Sequence, residues 1–364
     1  MTQVYSNAIF LSFQYKRNKY IKAGYLMNGL DYRKIKHIFN LQVSKTAILK
    51  AEATGNIPMS TRVPIGNSGI HKRVWSYADV AKIGEIYGFL TPPPTPQTMT
   101  VFSTKGGILK STIALNVARM YALHNTKTIL IDLDPQADTS TNMGMEINED
   151  KFNNIEDLNK VLNDIDSIYD VYTKASKLED IIQHSILPTL DFIPATSELI
   201  ALMDLLNAEV KRENWLKKNI IAPLTKLGYT LIIIDLAPSW SIYTSNAINA
   251  SNILISPLEC KINHYRNSKA FIRQLDKFIH RLELTGLKQL FVPVKTSATR
   301  KLSTQIRQYY HNNIKGCAMS SIRESIVGEE ATAQKLSVIE YAYNKTLADD
   351  YRELLTEIDT IIKE

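Results

Sequence analysis

Ser103-Thr104-Lys105-Gly106-Gly107-Ile108-Leu109-Lys110-Ser111-Thr112 decides how the rest of the chain is read. The strand-like run TMTVFST (98–104) passes straight into a glycine-containing turn, and a helical stretch from Ser111 to about His124 follows. A strand, a glycine turn and a helix N-terminus set backbone N–H groups and the positive helix end around a phosphate. In such a loop Lys110 reaches the terminal phosphates and the Ser111 hydroxyl binds magnesium. The strict pattern GxxxxGK[ST] is not met. Thr104 and Leu109 hold its two outer glycine positions, and KGGxxK[ST] remains.

Further along lie KTILIDLD (127–134), LDFIPA (190–195), YTLIIIDLA (229–237), ILISPLE (253–259) and LFVPV (290–294). Apolar strands interleaved with amphipathic stretches predict an α/β fold, a doubly wound and mostly parallel sheet covered on both faces. Its ligand site belongs at the carboxyl ends of the strands. Carboxylates stand there: Asp132 and Asp134 in DLDPQ, Asp235 in IIIDLAPS. The acidic segment 145–186 reads as an inserted connection away from the phosphate site.

KGGxxK[ST] resembles the deviant P-loop of the ParA/MinD family, whose signature is an additional lysine at the start of the loop, matched here by Lys105. DLDPQ (132–136) looks like that family's DxDPQ segment and IIIDLAPS (232–239) like its Walker B segment. FIPA (192–195) and SVIEY (337–341) sit where the family has similar text, so the resemblance covers about residues 99–355. It implies a P-loop NTPase that hydrolyses ATP slowly with Mg2+. Lys105, Gly106, Gly107, Ile108, Leu109, Lys110, Ser111 and Thr112 would surround the nucleotide. Lys105, Lys110 and Asp134 would be catalytic, Asp134 by orienting the attacking water. Ser111, Asp132 and Asp235 would lie at the metal. In the family the extra lysine reaches across a nucleotide-sandwich dimer, so Lys105 implies a homodimer on ATP. Leu109 departs from the usual glycine and leaves the local loop geometry open. A bulky residue there also occurs in partition ATPases with an N-terminal helical domain.

The net charge of +7 is unevenly spread. Residues 1–98 carry 13 Lys/Arg against 4 Asp/Glu, and 261–323 carry 13 against 2, whereas 146–180 carry 4 against 10. Two separate basic regions point to a polyanion such as DNA. TPPPTPQT (91–98) favours an extended spacer between a small all-α head (1–90) and the ATPase part (99–364). Within the head, DYRKIKHIFN (31–40) predicts a helix, and KTAILKAEATGN a second, capped by Ser44 and ended by Gly55. Together they form a helix-turn-helix pattern with Ser44, Lys45, Thr46 and Lys50 as DNA contacts. Ser76 and Gly88 bound a further helix. LQVSKTAILKAEATGNIP resembles the helix-turn-helix of large plasmid partition ATPases. Residues 1–26 match nothing comparable: either a dimerisation arm, or dispensable with Met27 as the effective start. In the second basic region, Arg300, Lys301, Arg307, Lys315 and Arg323 are the expected contacts to non-specific DNA, made by charge and weakened by salt.

No run of about 18 apolar residues is present, and the N-terminus has the wrong charge order for a secretory signal. Cys260 and Cys317, the only cysteines, lack metal-ligand spacing. A cytoplasmic, nucleoid-associated protein is expected. The acidic ending LADDYRELLTEIDTIIKE is unlike the basic membrane helix of MinD-like relatives. The expected function is DNA partition: dimerisation on ATP, binding of arbitrary duplex, release when a ParB-like centromere-binding partner stimulates hydrolysis, and repression of its own operon. The competing reading is a nucleotide-sensing transcriptional repressor without a motor role.

Overall fold

Thr128–Leu133 and Leu231–Leu236 are buried at every position, which requires strands covered on both faces. The computed structural model describes residues 29–64, 70–145 and 165–364, the side chains of Asn263 and His264 excepted. In chain order the head gives β1 (Leu30–Asp31), α1 (Tyr32–Ile38), α2 (Lys45–Ala53), β2 (Thr61–Pro64), β3 (His71–Trp75) and α3 (Tyr77–Tyr87). There follow β4 (Gln97–Val101), α4 (Lys110–Leu123), β5 (Thr128–Leu133), α5 (Asp138–Asn142), α6 (Ile168–Thr173), β6 (Gln183–His184), β7 (Leu190–Ile193), α7 (Leu199–Ala208) and α8 (Ala222–Lys226). The chain closes with β8 (Leu231–Leu236), α9 (Ile242–Ala250), β9 (Ile253–Glu259), α10 (Ile262–Arg281), β10 (Lys288–Thr296), α11 (Lys301–Asn313), β11 (Ile322–Arg323), α12 (Val327–Ala333), α13 (Val338–Tyr341) and α14 (Thr346–Lys363).

The large sheet runs β11-β10-β9-β4-β8-β5-β7-β6. Every pairing is parallel except β6–β7. The chain leaves central β4 in one direction for β5 and returns through β8 to β9 on the other side. The glycine loop after β4 therefore opens at the place where the winding reverses, the usual ligand crevice of such sheets. Among the described residues no helix is long and apolar enough to cross a membrane. Residues 1–28, and with them the proposed arm, lie outside the described residues, as does 146–164 of the acidic connection.

Two expectations need correction. The head is not all-α: β1, β3 and β2 form a three-stranded antiparallel sheet. Its strands are short, and β2 with the first half of β3 is largely exposed and rich in Arg, Lys and Pro, so no apolar alternation announces them. Nor is 91–98 a spacer along its whole length: Gln97 and Thr98 already belong to β4, and the stretch is tied to the ATPase part. Leu90 is buried, the Thr91 N–H donates to the Asp359 carboxylate (3.2 Å), and the Arg352 guanidinium donates to the His37 carbonyl (2.8 Å). A Cβ on Gly84 of α3 would stand 2.2 Å from the Leu123 carbonyl oxygen, so α3 crosses the end of α4 at a distance only glycine allows. Ile35, Ile48 and Trp75 of the head share one hydrophobic core with Leu115 of α4 and Leu354 of α14.

Candidate functional site

The glycine loop spans from the end of β4 to the start of α4. Gly107 has φ +67° and Leu109 φ +68°, so Leu109 adopts the left-handed backbone that glycine would take freely, at a cost of about 1 kcal/mol. This is the geometry the sequence left open. Leu109 compensates by packing its side chain against the core. Ile108 is buried and offers only its backbone to a ligand, while Ser111 and Thr112 open the first turn of α4. The Lys110 side chain folds back, and its ammonium donates to the Lys105 carbonyl at 3.0 Å. Burial lowers the pKa of Lys110, against the charges of Asp235 and Asp134. A buried ammonium with one neutral acceptor is a receptor for an anion.

Asp132 and Asp235 face each other in register on β5 and β8. Thr139 donates to Oδ2 of Asp235 (2.6 Å), but among the described residues nothing donates to the buried Oδ1. Burial raises the Asp235 pKa, opposed by the Ser111 and Thr139 hydroxyls and by Lys110. Asp132, expected at the metal, stands beside Asp235 and is hydrogen-bonded on both of its oxygens. Its Oδ1 accepts from the Asp134 N–H (3.0 Å) and its Oδ2 from Ser140 N–H (2.8 Å) and Oγ (2.7 Å). It is a strut that shapes the loop from Asp134 to Ser140, and burial with the nearby Asp235 charge raises its pKa to about 7. Asp134 is half-buried, and one of its oxygens accepts from the Gln136 N–H (3.1 Å).

The signature lysine is engaged within its own chain. Lys105 pairs with Glu259, a buried carboxylate at the end of β9. Lys261 lies 3.2 Å from the other oxygen of Glu259 and 2.7 Å from Glu324, and Arg300 lies 3.5 Å from Glu324. Neither Glu259 nor Glu324 was expected from sequence; an acidic residue closing an apolar strand was the only sign of the first.

The basic surfaces divide unevenly. Arg300, Lys301 and Lys315 are exposed, while Arg307 is half-buried and donates to the Ser321 hydroxyl (3.3 Å). Arg323 is exposed, and its guanidinium makes two bonds to Asp350 (2.7 and 2.6 Å) that tie β11 to α14. Exposed Arg266, Lys269, Arg273, Lys277 and Arg281 on α10 recur every three or four residues, a single helix face that the sequence reading passed over. In the head, Lys45, Thr46 and Lys50 are exposed on α2, where Ser44 caps the helix by accepting from the Ala47 N–H (3.2 Å). Beside them the β2–β3 hairpin presents exposed Arg62 and Lys72.

An AAA domain family model matches residues 96–290. Over 265 residues the chain is 24% identical to the sporulation initiation inhibitor protein Soj of Bacillus subtilis, covering 71% of this chain and 97% of Soj. It is 24% identical over 222 residues to the chromosome partitioning protein ParA of Caulobacter vibrioides, covering 60% of this chain and 78% of that one. A crystal structure of a putative plasmid partition protein from Borrelia burgdorferi, bound to AMPPNP, superposes with a TM-score of 0.57 at 20% identity, covering 74% of this chain and 100% of that chain.

Proposed function

We propose, for a chain that belongs to the AAA domain family and is a ParA-type partition ATPase, a cycle in which ATP binding drives dimerisation and a grip on arbitrary DNA. The observation that carries the nucleotide part is the buried Lys110 ammonium, curled onto its own loop, beside the donorless buried Oδ1 of Asp235. One lacks an anion and the other lacks a cation or its water. ATP with Mg2+ answers both needs, since magnesium is usually held by one or two carboxylates together with substrate phosphates. Lys110 and the loop N–H groups would hold the phosphates, and Ser111 and Asp235 the hydrated metal. Bound ATP supplies the transferable phosphoryl group, and magnesium neutralises its charge. Asp134 would orient the water from a loop that Asp132 holds in shape. Lys105 would leave Glu259 to meet the nucleotide of a second copy.

Exposed Arg300, Lys301 and Lys315 with the α10 face support a non-specific duplex surface. α2 with the adjoining β2–β3 hairpin supports a separate operator-reading role for the head. A centromere-bound partner would end the cycle by stimulating hydrolysis, on the nucleoid where the duplex lies. Fluorescence anisotropy with a scrambled duplex at moderate salt tests the cycle with ATP, with ADP and without nucleotide. Binding only with ATP is expected. Binding that ignores nucleotide, or that needs one operator sequence in every state, would favour a repressor without a motor role.

A further inference from the structure

Four carboxylate oxygens meet where β5 and β8 end side by side, since Asp132 and Asp235 are in register. Protein donors take three of them: Oδ1 of Asp132 accepts from the Asp134 N–H, Oδ2 of Asp132 from Ser140, and Oδ2 of Asp235 from the Thr139 hydroxyl. Among the described residues nothing donates to the fourth, Oδ1 of Asp235. Thr139 and Asp235 are 2% and 1% exposed, so bulk water does not compete for the bond between them.

The neighbours Thr139 and Ser140 of α5 thus serve opposite strands, one carboxylate each. Ser140 is pinned, because its N–H and Oγ both donate to Asp132 (2.8 and 2.7 Å) and its Oγ accepts from the Ala195 N–H after β7 (2.9 Å). That anchoring fixes where the Thr139 hydroxyl stands. A carboxylate left to itself turns in a broad, two-fold χ2 well, and its oxygens exchange places. Magnesium tolerates little misplacement, since it demands near-octahedral oxygen ligands. The competing partner inside the protein is the Lys110 ammonium, whose charge acts on Asp235. Pairing those two would take one group from the phosphates and the other from the metal.

We propose that Thr139 is a positioning residue for metal binding: its hydroxyl holds Asp235 so that Oδ1 alone is offered to Mg2+ or to its water shell. This rests on the nucleotide-site reading above, in which Asp235 serves the metal. Thr139 also stands five residues after Asp134, and the turn between them is closed by the Ala137 N–H on the Asp134 carbonyl (2.9 Å). The same hydroxyl therefore ties the loop that carries Asp134 to the strand that carries Asp235, and metal seating and water positioning share one bond.

The affinity for ADP is titrated by calorimetry on the full chain with Mg2+ and again with EDTA, and the ratio of the two measures how well the metal is held. Thr139→Val removes the hydroxyl at nearly constant shape and should cut that ratio about tenfold, the size of a lost hydrogen bond to a buried charged group. Thr139→Ala should do the same, and Thr139→Ser should keep most of the wild-type ratio. In steady-state hydrolysis Thr139→Val should need about tenfold more Mg2+ and recover turnover when it is supplied, which damage to the fold would not allow. The proposal is overturned if Thr139→Val and Thr139→Ala keep the ratio, even where both affinities fall together, or if Thr139→Ser is no better than Thr139→Val. Cd2+ restoring the ratio in Thr139→Cys where Mg2+ does not would make the side chain a ligand itself, and overturns the positioning role as well. Asp235→Asn is the control. If it keeps the wild-type ratio, the metal reading of Asp235 fails; if it loses the ratio while Thr139→Val keeps it, only the role of Thr139 fails.

Discussion

Acidification should loosen the seam between head and ATPase through His124, the residue that ends α4. The imidazole is fully buried, with Nδ1 2.6 Å from the Met120 carbonyl and Nε2 3.2 Å from the Phe89 N–H. The neutral ring carrying its proton on Nδ1 satisfies both partners. A second proton would set Nε2–H against the Phe89 N–H and leave a buried cation packed between the Phe39 and Phe89 rings. Burial accordingly pushes the His124 pKa down to about 4, partly offset by the Met120 carbonyl and the Asp359 charge. The unfolded chain binds this proton near pH 6.5. A depressed folded value means stability that is complete above pH 6.5 and is lost as pH falls towards 4. At about 1.4 kcal/mol per pH unit the whole effect is about 3 kcal/mol, of which about 2.5 kcal/mol is gone by pH 4.5. Urea unfolding from pH 7.5 to 4.5 measures it as the difference between wild type and His124→Gln. The variant should be less stable at neutrality but should lose less on acidification, and proteolysis of wild type near residues 88–96 should rise in parallel. Superimposable pH slopes for the two proteins would refute the assignment.

Lys110→Ala should abolish ATP binding or hydrolysis, read by nucleotide titration and phosphate release; normal turnover would sink the site. Asp134→Ala should hold an ATP-bound dimer in sedimentation velocity, and a monomer with ATP would remove Asp134 from its place at the water. Glu259→Gln frees Lys105 from its contact within the chain, so dimers should form at lower ATP concentration than in wild type. Arg119→Met strands the buried Glu340 carboxylate, bonded to Arg119 at 2.7 and 2.8 Å, and should cost about 3–5 kcal/mol. Adding Glu340→Gln should recover part of that loss in a denaturation series.

The nucleotide half was legible because buried parallel strands are continuous apolar runs whose ends carry the chemistry. β9 occupies the predicted residues 253–259, and α4 begins one residue before the predicted Ser111. Helix caps in the head were equally readable, since Ser44 and Ser76 bond N–H groups three residues on, a purely local matter. Pairings across the fold were not. Nothing near Arg323 in the chain points to Asp350, nothing near Lys105 points to Glu259, and SVIEY shows its purpose only when Glu340 meets Arg119 inside the core. The sequence assigns Asp132 and Asp134 different roles, but not their different burial: Asp132 is buried and held by the Asp134 and Ser140 N–H groups and the Ser140 hydroxyl, while Asp134 is half-buried.

The shared core has a consequence for anyone who would treat the head as a detachable module. A chain cut at residue 91 would keep the whole nucleotide site yet bare the apolar flank of α4 and α14 that Ile35, Phe39 and Ile83 now cover. Such a fragment would carry a sticky face and is better made with polar replacements along that flank than as a plain truncation. Transplanting the head onto another ATPase would meet the same obstacle in reverse, since the graft must bring a glycine to the crossing and find a histidine waiting there.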